Sequence, residues 1–292
     1  MDLTNPDTLK SLLLRYHIRP SESLGQNFLI DAEVFKAIIS AAELNSSDVV
    51  LEIGSGVGNL TMELAGRCKQ VIAIEKDKRM IKPLRFVLKD FSNASIINDD
   101  ILKINLPNIL EQTSQNPPSL IPDSKFLIPS FKVVANIPYY ITGEILRLFL
   151  EFRAKPRLLV ILVQKEVAER VIAGPGEMSI LSVSVQLYSR PEIVDVVSAS
   201  SFWPEPKVDS AILKMTVYDK PVLDVDEKRF FNLVKIGFSA RRKTLLNNLA
   251  SGFKLSKEKA GEILQTAGID PQKRAQELSL RDWEKIYRVY AR

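Results

Sequence analysis

Short, nearly continuous apolar runs separated by amphipathic stretches fill the first half of the sequence. Val49–Ile53 (VVLEI), 71–75 (VIAIE), 95–98, 133–137 and Leu158–Gln164 (LLVILVQ) read as strands, the longest of them apolar enough to be buried on both faces. Helical patterns such as Asn59–Ala65 and 142–152 lie between them, the latter lined by apolar residues at 145, 146, 148, 149 and 150. Strands alternating with helices predict parallel βαβ units in an α/β domain. Two later runs, 193–198 and 211–217, read as a closing pair of strands. Segment 179–188 stays open: its β-branched residues favour a strand, and its spacing also permits a helix. Residues 105–131 contain Pro107, Pro117, Pro118, Pro122 and Pro129 and show no clean period, which predicts a loop-rich insertion.

After Tyr218 the pattern changes. Segments 226–237, 243–250, 256–267 and 279–290 all read as helices, with Ser256 and Ser279 supplying start chemistry. The predicted organisation is therefore an α/β domain over 1–218 and a small helical domain over 219–292. Charge sharpens the division. The 292-residue chain carries +5, yet residues 229–292 hold 14 Lys and Arg against 6 Asp and Glu, leaving 26 against 29 in the rest. A basic tail on a near-neutral body points to a polyanionic partner, although solvated lysine-rich helices give the same count.

Composition removes whole classes. With 46% hydrophobic and 26% charged residues the chain is globular, and its one cysteine, Cys68, permits no intrachain disulfide. The one histidine, His17, excludes a Cys/His metal site or a histidine-based triad. The start MDLTNPDT has acid where a signal peptide needs base, and the longest apolar run, 158–163, is far short of a membrane span. A soluble, cytoplasmic protein without metal is expected.

Two motifs carry chemistry. Glu52-Ile-Gly-Ser-Gly-Val-Gly58 follows a predicted strand and opens a predicted helix, and Gly54, Gly56 and Gly58 permit a tight turn and close approach to a ligand. The spacing is E-x-G-x-G-x-G, unlike the dinucleotide G-x-G-x-x-G. Glu75 ends the next strand, where a carboxylate can accept from two ribose hydroxyls, so the pair predicts a nucleoside-containing cofactor. In Asp99-Asp100, after the third strand, one carboxylate could accept from an adenine amine, or could simply cap the following turn. The second motif is Asn136-Ile137-Pro138-Tyr139, directly after a strand. An adenine N6 is a poor nucleophile because its lone pair is delocalised. Asn136 Oδ1 and the Ile137 carbonyl could accept both of its N–H bonds and favour a tetrahedral nitrogen, while Tyr139 stacks on the base and Pro138 fixes the turn. No general base is required, because the methylated cation loses its proton readily to water. The plainer alternative is a strand-ending turn with Tyr139 in the core.

With these motifs the sequence resembles the KsgA family of ribosomal RNA adenine dimethyltransferases, to which the erythromycin-resistance methyltransferases are cousins. The resemblance runs in order from about residue 19 to 250, through SLGQNFL (23–29), GSGVGNLT, VIAIEKD, NIPYY, VQKEVAERV, SFWPEPKVDSA (201–211) and FSARRKTLLNNL (238–249). It implies a class I, Rossmann-like methyltransferase domain using S-adenosyl-L-methionine and releasing S-adenosyl-L-homocysteine, with a small all-helical C-terminal domain. Carried over by position, Asn27 and Leu29 would meet the methionine end of the cofactor, Gly54 and Gly56 would lie beneath it, and Glu75 would hold the ribose. Asp100 would then meet the cofactor adenine and Asn136 would bridge cofactor and base. Phe202 matches a second aromatic that would close over the target base opposite Tyr139. Lys207, Arg241, Arg242 and Lys243 are the expected phosphate contacts.

The implied activity is dimethylation of N6 on two adjacent adenosines near the 3′ end of small-subunit rRNA, within the 30S subunit or its precursor, by a monomer. Two other readings stay open: methylation of large-subunit rRNA giving macrolide resistance, and an rRNA-binding assembly factor without turnover. Departures from the family pattern are Ser55 in place of proline, a longer segment between Asp100 and Asn136, and a shorter loop at Gly174-Pro-Gly176.

Overall fold

The computed structural model describes residues 1–112, 130–152 and 154–291. In chain order the elements begin with α1 (Pro6–Arg15), β1 (Phe28–Leu29), α2 (Ala32–Ala42), β2 (Val49–Ile53), α3 (Asn59–Ala65), β3 (Gln70–Glu75) and α4 (Ile81–Val87). There follow β4 (Ala94–Asn98), α5 (Leu106–Gln112), β5 (Phe131–Asn136), α6 (Thr142–Leu150), β6 (Leu158–Gln164), α7 (Lys165–Ile172) and α8 (Ile180–Tyr188). The chain ends with β7 (Ser189–Val197), β8 (Phe202–Trp203), β9 (Ser210–Val217), α9 (Glu227–Gly237), α10 (Leu245–Phe253), α11 (Lys257–Thr266) and α12 (Leu280–Tyr290). Among the described residues the main sheet has seven strands in the order β4-β3-β2-β5-β6-β9-β7. β4 to β6 run parallel, and β9 pairs antiparallel with β6. Strand order reverses between β2 and β5, and in such sheets ligands bind beyond the carboxyl ends of the strands at that point.

Every residue of β2 is buried, which explains its nearly continuous apolar run. One apolar cluster joins α2 and α3 to strand residues such as Val50, Val71, Val134 and Val160. A second gathers α1, α4, Phe28 and Val57. Each fully buried Leu or Val contributes about 1.5–3 kcal/mol relative to exposure.

Two local outcomes differ from, or decide between, the sequence readings. Segment 179–188 is helical because Ser179 and Ser182 form a reciprocal capping box, with the Ser179 N–H donating to Ser182 Oγ at 2.6 Å. Within the segment expected to be a loop, 106–112 is helical. Asn105 accepts from the Asn108 N–H, Pro107 sits in the first turn where its missing N–H costs nothing, and Leu106 and Leu110 are buried one turn apart. The remainder of that insertion, 113–129, lies outside the described residues.

The chain forms two compact units. One contains Met1–Ala168 and Glu192–Val217, the other Glu169–Pro191 and Tyr218–Arg292. The second unit thus takes in α8 as well as the helices after Tyr218. Its core centres on Trp283, fully buried and 5.6 Å from the Phe238 ring centroid, with Phe230 packed edge-on to Tyr287.

Candidate functional site

A cleft of about 1100 Å³, counted out to solvent, opens at the carboxyl ends of β2, β3 and β5. Its floor is the turn after β2. Gly54, Gly56 and Gly58 hold φ of 73°, 56° and 100°, the left-handed region that side chains disfavour. A Cβ on Gly56 would also lie 3.2 Å from Phe28 Cε1. Gly56 N–H donates to Glu75 Oε2 and Asp77 N–H to Glu75 Oε1, both at 2.7 Å, so the carboxylate at the end of β3 is held in place by backbone. Burial raises the Glu75 pKa, and these two N–H groups oppose the rise.

The wall opposite is built from residues distant in sequence. Gln26 Nε2 donates to Asp77 Oδ2 at 2.9 Å, and the Ser21 N–H donates to Gln26 Oε1 at 2.8 Å, anchoring the segment before β1. β1 pairs antiparallel with β8, Leu29 opposite Phe202 and Phe28 opposite Trp203. Asn59 Nδ2 donates to the carbonyls of Leu3 and Leu29, both at 3.1 Å. Asn136, at the end of β5, donates from Nδ2 to the Asn27 carbonyl at 3.3 Å. That bond fixes the amide orientation and leaves Oδ1 as an acceptor in the cleft. Tyr139 follows, its hydroxyl bonded to Ser210 Oγ at 2.6 Å, and burial raises its pKa despite that bond.

Asn27, Leu29, Gly54, Gly56, Glu75, Asp100, Asn136, Ile137, Pro138 and Tyr139 all line this one cleft, so ten separated positions converge. Asp100 also accepts from the Leu102 N–H at 3.1 Å and pairs with Lys76 at 3.0 Å. Partial burial raises its pKa, but the Lys76 contact and the Leu102 N–H outweigh it and hold the carboxyl below its usual range. The capping role and the cleft position therefore coexist.

Phe202 is placed apart from these ten. It is 3% exposed, belongs to the apolar cluster with Leu29, Val34 and Phe35, and is absent from the cleft lining, because the β1–β8 ladder turns it into the core. Tyr140, 54% exposed, lines the cleft and was not singled out from the sequence, although it directly follows the Asn-Ile-Pro-Tyr motif. Glu52, Ser55 and Asn59 were also missed as cleft residues; an acid inside an otherwise apolar strand was the available signal. Lys207 is exposed in the first unit, and Arg241, Arg242 and Lys243 are exposed in the turn between α9 and α10 of the second. Cys68 is buried, which pushes its thiol up to about 11, and His17 is exposed. Among the described residues no group of His, Cys, Asp or Glu could hold a metal ion, and no helix is long and apolar enough to cross a membrane.

The cleft fits a nucleoside-bearing cofactor with a polar tail. Its floor has the close approach that only glycines allow, Glu75 is fixed at the strand end, and the buried Glu52 Oε2, Ser55 Oγ and Asn59 Oδ1 have no partner within the protein. Comparison with known proteins agrees. Residues 19–292 match the family described as Ribosomal RNA adenine dimethylase. The chain is 43% identical over 282 residues to Ribosomal RNA small subunit methyltransferase A of Dehalococcoides mccartyi, covering 96% of this chain and 92% of that one. It is 40% identical over 293 residues to the protein of the same name from Alkaliphilus metalliredigens, covering 99% and 98%. Among solved structures it is similar to a dimethyladenosine transferase from Plasmodium falciparum, with 29% identity, a TM-score of 0.72, and 89% and 95% of the two chains covered. The 23S rRNA methyltransferase ErmE is similar at 28% identity and a TM-score of 0.70, covering 91% and 100%.

Fold and cleft together define a Rossmann-like methyltransferase that uses S-adenosylmethionine. The chain belongs to the ribosomal RNA adenine dimethylase family, and ribosomal RNA is its substrate.

Proposed function

We propose that this protein transfers methyl groups to N6 of two adjacent adenosines near the 3′ end of small-subunit rRNA, acting as a monomer on the 30S subunit or its precursor in the cytoplasm. The observation that carries the chemistry is the orientation of Asn136. With Nδ2 engaged by the Asn27 carbonyl, Oδ1 is available to accept from a target amine, and the Ile137 carbonyl follows it along the chain. Two acceptors on one exocyclic amine draw the nitrogen out of conjugation with its ring, which raises its nucleophilicity. Tyr139, braced through Ser210, gives the base a stacking face.

S-adenosylmethionine supplies an electrophilic methyl group when bound. Glu75 would hold its ribose, Asp100 its adenine, and Asn27, Leu29, Gly54 and Gly56 its methionine end. Asn136 bridges this set and the target base. Lys207 and Arg241–Lys243 would contact phosphates, each in its own unit. The small-subunit assignment draws on the relatives at 40–43% identity that carry that name.

The test is transfer of radiolabelled methyl from S-adenosylmethionine to purified unmethylated 30S subunits, with 50S subunits alongside. Dimethyladenosine in 30S alone is expected. Label in 50S alone would make the protein a large-subunit methyltransferase. Subunit binding with no label in either would make it a binding factor.

A further inference from the structure

Glu52 has no part in the roles assigned above, and its surroundings are unusual. It lies within β2, is 1% exposed, and sits on the same face as Val50, which packs beneath α2 and α3. Its ladder neighbours are Ala73 on β3 and Val134 on β5, neither of which offers a polar side chain. Its Oε2 has no hydrogen-bond partner, and the same holds for Ser55 Oγ, Asn59 Oδ1 and Thr61 Oγ1 in the turn and helix that follow. Glu52, Ser55 and Asn59 line the cleft. A buried carboxylate without a cation or donors costs several kcal/mol, and a protein in that position keeps the group neutral instead.

Resting on the reading of the cleft as a methyl-donor site, we infer that Glu52 is its charge-reading residue: protonated while the cleft lacks a cation, it yields that proton to bulk solvent when a cationic ligand enters. The donor, a sulfonium, then binds with proton release, and its product, a neutral sulfide of otherwise the same shape, binds without it. Discrimination between the two follows from one carboxyl group.

The electrostatics have the required sign. Burial pushes the Glu52 pKa up to about 8, the Thr61 hydroxyl lowers it modestly without a well-formed bond, and the charge of Glu75 raises it further. The charge of Glu75 is the one that acts on Glu52 directly, while Lys76, Asp77, Asp99 and Asp100 also line the cleft. A positive charge brought beside a buried carboxyl favours the ionised form and reverses the first effect.

The experiment is isothermal titration calorimetry of the full-length protein with S-adenosylmethionine and, separately, S-adenosylhomocysteine, in buffers of different ionisation enthalpy. Below about pH 8 the carboxyl is mostly protonated, so release of up to one proton per sulfonium is expected at pH 7, and close to none for the sulfide. Above about pH 9.5 the carboxyl is already ionised and the release disappears. Glu52→Gln, which mimics the protonated form in size and shape, should still bind the sulfide and release no proton with either ligand. Its preference for sulfonium over sulfide should not change with pH, whereas the wild-type preference rises by up to about tenfold per pH unit below 8. Sulfonium binding without proton release, or release that persists in Glu52→Gln and so has another source, overturns the inference alone. Failure of both ligands to bind the wild-type protein overturns the cofactor reading and the inference with it.

Discussion

At the scale of single residues, the cleft is a set of atoms whose freedom has been removed. Asn136 is pinned through Nδ2, so Asn136→Ala removes the acceptor together with the bond to the Asn27 carbonyl; methyl transfer should fall by about 10²- to 10³-fold while subunit binding persists. Loss of subunit binding in that variant would make Asn136 a structural residue. Gly56→Ala places a Cβ at φ 56° and 3.2 Å from Phe28, costing about 1–2 kcal/mol and weakening donor affinity, both readable by calorimetry. An unchanged affinity would show that the turn can relax. Glu52 also makes the ligand-free protein pH-sensitive. Between its ordinary value of 4.5 and about 8, the folded chain holds a proton that the unfolded chain has lost, so stability falls as pH rises through that window. Glu75, raised in the same direction by burial, adds to the fall. Thermal unfolding midpoints should drop across the window in the wild type and less in Glu52→Gln; equal slopes would contradict the assignment. The Gly turn, Glu75, Asp100 and the Asn-Ile-Pro-Tyr motif were legible because each chemistry needs a particular residue at the end of a readable strand. The burial of Phe202 was not legible, because a residue type does not tell which face of a short ladder it occupies.

At the scale of elements, β2, β3, β5 and β6 were readable to within one or two residues, since burial on both faces leaves no alternative to apolar runs. Helix α8 was undecidable from periodicity and was settled by two serines three residues apart. Helix α5 was hidden by the proline-rich sequence that begins with it, although Pro107 lies in the one turn that tolerates it. In the second unit, α9 ends against α12 through an absence of bulk: a Cβ on Gly237 would stand 2.3 Å from Trp283 Cη2. Gly237→Ala should therefore cost about 1–3 kcal/mol by overpacking, measured as a lower denaturant midpoint, with donor binding in the other unit retained. A cost below about 0.5 kcal/mol would mean that Trp283 has room to shift.

At the scale of the whole molecule, charge and function are distributed unevenly. The cofactor cleft lies within the first unit, and the densest basic turn lies in the second. Neutralising Arg241, Arg242 and Lys243 together to Gln should weaken 30S binding and flatten its salt dependence by about one unit of slope for each phosphate no longer neutralised, with donor affinity unchanged. An unaltered slope would mean that this turn faces solvent in the complex. The change of pattern after Tyr218 was visible in the sequence, but nothing in 169–191 announces that it packs with the later helices. That interleaving has a temporal consequence. A chain emerging from the ribosome residue by residue has β2, β3 and the Gly turn early, yet the cleft wall at Leu29 waits for Phe202 and Trp203 to pair with it. The intervening stretch 169–191 must in turn wait for the last helices. The short ladder that backs the cleft wall is therefore completed only once residues 202 and 203 have been made, late in translation.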